Sequence, residues 1–188
     1  MLKNAKKISA PLDPNAVRSL RAGDWVLLSG EIYAARDQAH KRLFEIIKSG
    51  RKLPLPLKGE IIYYAGPTPA RPGRVIGSAG PTTSSRMDKC TPALYKLGLA
   101  ATIGKGECSK EVRDAITRFG GLYLVTVGGA GAYLSERIKK AEVLLWPELG
   151  PEAVYLIAVK DFPCLIAYDS KGGDYFAYAR KKFGEGGG

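Results

Sequence analysis

The stretch Gly80-Pro81-Thr82-Thr83-Ser84-Ser85-Arg86-Met87-Asp88 constrains this chain more than any other. Glycine and proline end a preceding strand, because proline has no N–H to give to a ladder. The run of hydroxyl residues then suits a helix start, where side-chain oxygens accept from free N–H groups. Those N–H groups and the helix dipole also favour an anion. With Thr82 at or near the cap, Arg86 lies one turn further on, and both face a single ligand. A hydroxyl and a guanidinium converging in this way suit a carboxylate or a phosphate. Read alone, the stretch is equally a capped helix whose arginine lies in solvent.

Strand and helix signals alternate on both sides of this motif. Lys7-Ile8-Ser9-Ala10 and Trp25-Val26-Leu27-Leu28 read as strands, with Asp13-Pro14 between them as an N-cap and first helical residue. Residues 29–37 read as a strand end and a loop leading into a helix. Its apolar stripe runs through Ala35, Ala39, Leu43, Phe44, Ile46 and Ile47. Residues 60–65 are a strand, and the glycine- and proline-rich stretch 66–73 is a rigid loop. After the motif a helix is expected over 84–97, kinked or split at Thr91-Pro92.

A short strand over 100–103 ends in Gly104-Lys105-Gly106. Ser109 caps a helix that Gly120-Gly121 ends, and 122–127 is a buried strand. Gly128-Gly129-Ala130-Gly131-Ala132 is a close turn into a further helix. It is not a dinucleotide fingerprint, since position 134 is leucine and no acidic residue is placed to read a ribose. Three strands follow, at 142–146, 153–159 and 164–168, the last two joined by a tight connection at Lys160-Asp161-Phe162-Pro163. This alternation, with extra strands at both ends, predicts a layered α/β fold with a mixed sheet. Residues 1–170 read as one domain. Residues 171–188 read as a flexible, glycine-rich basic tail, in which Tyr175, Phe176 and Tyr178 are able to dock on the body or on a partner.

A chain of 188 residues is long enough for one substantial core. The formal net charge is +11, from 29 Lys and Arg against 18 Asp and Glu. That balance favours an anionic partner: nucleic acid, an acidic metabolite or an acidic subunit. A non-catalytic basic module that binds nucleic acid is therefore one reading, although no stacking motif or basic recognition helix is apparent. Cys90, Cys108 and Cys164 are widely spaced, with no C-x-x-C, and do not resemble a zinc knuckle or an iron–sulfur set. Cys164 lies in an apolar run and reads as core. No apolar run is long enough to span a membrane, and no apolar segment follows the basic N-terminus as in a signal peptide. The expected compartment is the cytoplasm.

Two further cations stand out. Arg36 comes early in a helix, where a positive charge opposes the macrodipole. Lys105 sits between two glycines, whose backbone freedom lets it reach a pocket. His40, the only histidine, lies four residues after Arg36. With no partner beside it in sequence, it reads as a surface or half-buried histidine.

The motif at 80–88 resembles that of the class I fumarase and L-tartrate dehydratase family, in the β subunit or the C-terminal domain of single-chain forms. Arg36-Asp37 with His40, the Gly66-Pro67 loop, Lys105 and the glycine-rich turn occur in the family's order. Gly131 departs from it, because the family usually has alanine there. The resemblance implies a three-layer β/β/α swivelling domain with a mixed sheet. It implies reversible hydration of a dicarboxylate, fumarate to L-malate, with L-tartrate dehydration as the alternative. Arg36, Arg86 and Lys105 would bind the carboxylates, and Thr82 would act as the base. Asp88, Thr83 and His40 would support them, Asp88 by orienting Arg86. The implied cofactor is a [4Fe-4S] cluster held by a separate α subunit, with no metal bound by this chain. The assembly would be a heteromer, such as a dimer of heterodimers.

Overall fold

The computed structural model describes residues 4–70, 72–126 and 129–184. In chain order the elements are β1 (Lys6–Ser9), α1 (Pro14–Ser19), β2 (Trp25–Ala34), α2 (Asp37–Lys48), β3 (Ile61–Tyr63), α3 (Thr91–Lys96) and β4 (Ala101–Gly104). They continue with α4 (Lys110–Phe119), β5 (Leu122–Val125), α5 (Gly131–Ser135), β6 (Ile138–Leu145), β7 (Val154–Tyr168) and α6 (Tyr175–Phe183). Two 3₁₀ turns, Ser84–Met87 and Pro147–Glu152, complete them. Local chemistry accounts for several boundaries. The Asp13 carboxylate accepts from the Asn15 and Ala16 N–H groups, and Pro14 needs no partner at the first turn of α1. Gly120 closes α4 in the left-handed region at φ 72°, which costs glycine nothing.

Strands β1 to β5 run parallel, each paired to the next, and β7 pairs antiparallel with β2, β5 and β6. Because β7 bonds to β2 on one edge and to β5 on the other, the mixed sheet closes into a ring of β2, β3, β4, β5 and β7. One core fills the ring. It holds Val26, Leu28 and Ile32 of β2, Tyr63 of β3, Ile103 of β4, Leu124 of β5 and Phe162 of β7. A second core lies between the outer faces of the strands and the helices. Leu43 of α2, Tyr95 of α3 and Ile116 of α4 pack there with Ile62, Tyr64 and Tyr123.

The expected pair of strands around Lys160-Asp161-Phe162-Pro163 is a single strand of 15 residues. Opposite β2, Leu28 faces Phe162 but Gly30 faces Val159, so β7 carries one extra residue. That is a β-bulge, with Asp161 in the left-handed region at φ 49° and its N–H donating to Ser29 Oγ at 3.1 Å. The bulge shifts the inward face from Ile157 and Val159 to Phe162, Cys164 and Ile166. It also lets one strand serve β6 with its first half and β5 with its second.

Three other expectations change. Residues 29–34 continue β2 instead of leaving it. The helix expected over 84–97 is split at Thr91-Pro92, one of the two expected outcomes, but its first part is a 3₁₀ turn and not an α-helix. Residues 175–183, placed by sequence in a tail, form α6, whose start Asp174 caps through the Ala177 N–H. Phe176 packs on Tyr168 with ring centroids 5.6 Å apart, and Arg180 pairs with Glu107. Among the described residues no helix is long and apolar enough to cross a membrane.

Candidate active site

A polar cleft of about 360 Å³ lies at the C-terminal ends of the parallel strands. Arg36 follows β2, Lys105 follows β4, and Gly129 follows β5, while Gly66, just after β3, touches Arg36 from behind. Strand-end loops are where an α/β sheet places ligands, since the strands aim successive loops at one point. A larger groove of about 650 Å³ involves Gly59, Leu99, Ala100 and Gly120. It sits at the opposite, N-terminal ends of β3, β4 and β5.

The motif reaches the cleft in an extended form. The Tyr63 hydroxyl donates to the Ala79 carbonyl at 2.6 Å and pins the approach to Gly80. The Thr82 N–H donates to the Tyr64 carbonyl at 2.6 Å, and the Lys105 N–H donates to the Thr82 carbonyl at 3.2 Å. The Ser84 N–H donates to the Lys105 carbonyl at 3.0 Å. Residues 82–84 thus lie beside the Lys105 turn as a short extra strand, with Thr83 and Lys105 in register. The expected helix N-terminus is replaced by this pairing. The N–H groups of Thr82 and Ser84 are occupied and are not offered to an anion. Thr82, 7% exposed, and the exposed Thr83 both line the cleft.

The Lys105 turn is fixed from below. The Tyr123 hydroxyl donates to the Gly106 carbonyl at 2.7 Å, and Ser84 Oγ lies 2.7 Å from the same hydroxyl. A tyrosine has one proton to give, so Ser84 is the donor to Tyr123. Gly104 makes room for this pair, because a Cβ there would collide with Ser84 Oγ. The ordinary Gly-Lys-Gly turn is in this way tied to the motif through a buried tyrosine.

Arg36 and Arg86 are each held by a carboxylate. Arg86 Nε donates to Asp37 Oδ1 at 2.8 Å, and its Nη2 lies 2.8 Å from Oδ2. Arg36 Nη2 donates to Glu152 Oε1 at 3.1 Å. Asp37 Oδ2 also comes to 3.9 Å from Arg36 Nε, so one carboxylate stands between two arginines. Lys105 forms no ion pair among the described residues.

Of the expected site residues, Arg36, Thr82, Thr83, Arg86 and Lys105 line one cleft, and two do not. Asp88 does not orient Arg86. Its Oδ2 accepts from the Ser109 N–H at 2.7 Å, just before α4, and burial pushes its carboxyl up from the ordinary range. Asp37 has the role expected of Asp88. His40 is buried, not at the surface, with Nδ1 at 3.1 Å from the Arg36 carbonyl and its ring edge-on to Tyr64. Burial pushes its imidazole down to about 4. Sequence reading gave no role to Glu152, Tyr123 or Ser84, whose partners lie far away along the chain.

The three thiols are buried. Cys90 and Cys108 belong to the outer core and Cys164 to the ring core. Burial pushes all three upward, Cys90 to about 12, away from the thiolate that a metal needs. Among the described residues no group of three His, Cys, Asp or Glu is placed to hold a metal ion.

The sequence model of the family described as Fumarase C-terminus matches residues 3–179. This chain belongs to that family. It is 44% identical over 151 residues to "Fumarate hydratase class I, anaerobic" of Escherichia coli, covering 79% of this chain and 28% of that protein. It is 43% identical over 157 residues to "Fumarate hydratase 2" of Leishmania major, covering 82% and 28%. It is 40% identical over 172 residues to "Putative L(+)-tartrate dehydratase subunit beta" of Methanocaldococcus jannaschii, covering 88% of each. The chain thus spans just over a quarter of the fumarate hydratases it matches. Gly131, where the resemblance implied alanine, is closely approached by its neighbours. A Cβ at that position would collide with Ser78 Oγ and come within 3.0 Å of the Gly80 N.

Proposed function

We propose that this chain is the β subunit of a class I fumarate hydratase, which hydrates fumarate to L-malate reversibly together with a separate α subunit. The observation that carries this reading is the convergence of Arg36, Arg86, Lys105 and Thr82 on one polar cleft. Three cations suit a substrate with two carboxylates. The side-on pairing of Arg86 with Asp37 uses Nε and one terminal nitrogen and leaves its end-on edge for a ligand carboxylate. The Lys105 ammonium, without a carboxylate partner of its own, takes the other end.

Thr82, which lines the cleft, is the base we assign to the C–H carbon. In the dehydration direction the Thr82 alkoxide takes the proton, the C–H pair becomes the new π bond, and the hydroxyl leaves the neighbouring carbon with its bonding pair. The partner's cluster would supply the Lewis acid for that hydroxyl. The Thr82 proton joins the hydroxyl as water, which restores the alkoxide. A threonine hydroxyl is a poor base at neutral pH, so it must be reached as an alkoxide. The positive field of Lys105 and Arg86 in a confined cleft favours that form.

A [4Fe-4S] cluster does not fit this chain, whose thiols are buried, raised and divided between two cores. We assign the cluster to the α subunit, in a heteromer such as a dimer of heterodimers. A swivelling role for the domain belongs to the same proposal. It is supported by the two stacked cores, strands on strands inside the ring and strands on helices outside it.

One observation favours L-tartrate as the substrate instead: the relative matched along 88% of both chains carries that name. Anaerobic co-expression with the cluster-bearing partner, followed by assays on fumarate and on L-tartrate, separates the two. Arg86→Ala should abolish turnover of the pair while the chain stays folded. Near-normal turnover of that variant would remove the motif from the site.

A further inference from the structure

Arg36 is the N-cap residue of α2, yet its side chain caps nothing. The N–H of Gln38, free in the first turn, is taken instead by Glu152 Oε2 at 2.9 Å. The other oxygen of the same carboxylate accepts from Arg36 Nη2 at 3.1 Å. A residue 116 positions away in the chain therefore holds Arg36 at both ends, at the helix start from which it springs and at its tip.

The surroundings leave Arg36 a single seat. Gly66 lies against its stem, where a Cβ would come within 2.6 Å of Arg36 Nε and 2.7 Å of the Pro151 carbonyl. Arg36 Nε is buried and makes no hydrogen bond among the described residues. The segment that carries Glu152 is itself fastened to α2. Arg42 pairs with Glu148, and its guanidinium lies 5.4 Å from the Trp146 ring centroid.

We infer that Glu152 is a positioning residue, which sets the Arg36 guanidinium for the ligand carboxylate by joining it to the N-terminus of α2. The inference rests on the reading of Arg36 as a substrate ligand in the proposed site. Glu152 itself does not line the cleft. It acts by charge on Arg36 and by hydrogen bonding on α2, and these two actions are separable. In Glu152→Gln the amide oxygen still accepts from the Gln38 N–H, while the amide NH₂ opposes Arg36 Nη2 as donor to donor.

The test uses the assembled pair of this chain and its cluster-bearing partner, with wild type, Glu152→Gln, Arg36→Lys and the double variant. Glu152→Gln should raise KM for the dicarboxylate about tenfold or more, as a displaced substrate ligand does. Its thermal midpoint as an isolated chain should stay close to wild type. The double variant should be no worse than Arg36→Lys, because the glutamate acts only through that arginine. If KM of Glu152→Gln stays within about twofold of wild type while Arg36→Lys loses affinity, the inference is wrong and the site reading stands. Losses that add independently in the double variant overturn it as well. Normal turnover by both Arg36→Lys and Arg86→Ala would instead discard the site reading.

A second readout needs no turnover. In the isolated chain, labelled with ¹⁵N-arginine, the Nε–H signal of Arg36 should exchange slowly with water and be assignable by its loss in Arg36→Lys. In Glu152→Gln the exchange should speed up at least about tenfold, because the guanidinium is no longer anchored. An unchanged exchange rate overturns the inference.

Discussion

Asp37 and Arg86 lie 49 residues apart and meet side-on, with Nε to Oδ1 and Nη2 to Oδ2 both at 2.8 Å. The pair joins the first turn of α2 to the Gly80–Asp88 motif, so the cations that follow β2 and the motif belong to one unit. Arg86 remains 52% exposed, which leaves the pair little weight in stability. Its value lies in orientation. Asp37→Asn should change unfolding free energy by less than about 1 kcal/mol. In the assembled enzyme it should raise KM about tenfold, the equivalent of one charge-assisted hydrogen bond. Urea titration and initial rates measure the two effects separately. A large loss of stability with unaltered KM would make Asp37 a structural residue only.

Tyr123 carries a different kind of weight. Its hydroxyl, in a side chain fully buried in the second core, accepts a hydrogen bond from Ser84 Oγ and donates one to the Gly106 carbonyl. Tyr123→Phe leaves the fully buried Ser84 hydroxyl without its partner, whereas Gly106 is exposed. A cost of about 1–3 kcal/mol is expected from such an unsatisfied buried group. The Lys105 turn should loosen at the same time, so that activity falls more than the folded fraction does. Hydrogen exchange at the Lys105 amide, which bonds to the Thr82 carbonyl, reports that loosening directly. Protection equal to wild type would show that the turn holds without the tyrosine.

The contrast between these pairs and the residues found from sequence has a physical basis. The places of Arg36 and Lys105 were legible because each follows the end of a parallel strand, and parallel strands send such ends to one side. Thr82 and Arg86 were legible from the motif itself, which no strand directly precedes. Asp37 with Arg86 and Glu152 with Arg36 were not, since ion pairs across 49 and 116 residues leave no periodic trace. Asp88 was chosen for its nearness to Arg86 in sequence, but the 3₁₀ turn directs it to Ser109. The bulge in β7 was read as a turn because a polar Lys-Asp pair interrupts two apolar runs. It is a strand because Asp161 tolerates the left-handed region and the ladder resumes one residue later. The same limit applies to the end of β2, where Gly30 and Glu31 break the apolar alternation without ending the strand.

Gly66 offers a steric test of the Arg36 seat. Its place is set by close approach and not by a left-handed backbone, since a Cβ would meet Arg36 Nε at 2.6 Å and the Pro151 carbonyl at 2.7 Å. One of those neighbours is backbone and cannot step aside. Gly66→Ala should therefore cost about 1–3 kcal/mol, the range for overpacking, and should displace Arg36 from Glu152. The loss of activity should match that of an Arg36 variant. Chemical denaturation combined with a crystal structure of the variant checks both parts, and an undisturbed Arg36–Glu152 distance would show that the loop yields instead.

His40 provides the pH prediction. It is buried behind Arg36 against Tyr64, and burial pushes its imidazole down from 6.5 to about 4. In the unfolded chain it titrates near its ordinary value of about 6.5. Above that pH both states are neutral and His40 contributes its full stability. As pH falls from about 6.5 towards 4, the unfolded state takes up a proton that the folded state refuses, so stability falls with pH. The whole loss is about 3 kcal/mol for a shift of this size. His40→Gln removes the titrating group while leaving an oxygen and an amide at the site. The difference in unfolding free energy between wild type and His40→Gln should therefore shift against the wild type as urea titrations move from pH 7 to pH 4.5. Carboxylates titrate in the same range in both proteins and cancel in the difference. A difference that stays constant with pH would mean that His40 is protonated inside the fold, and that the contact with Tyr64 and the Arg36 carbonyl accommodates the charge.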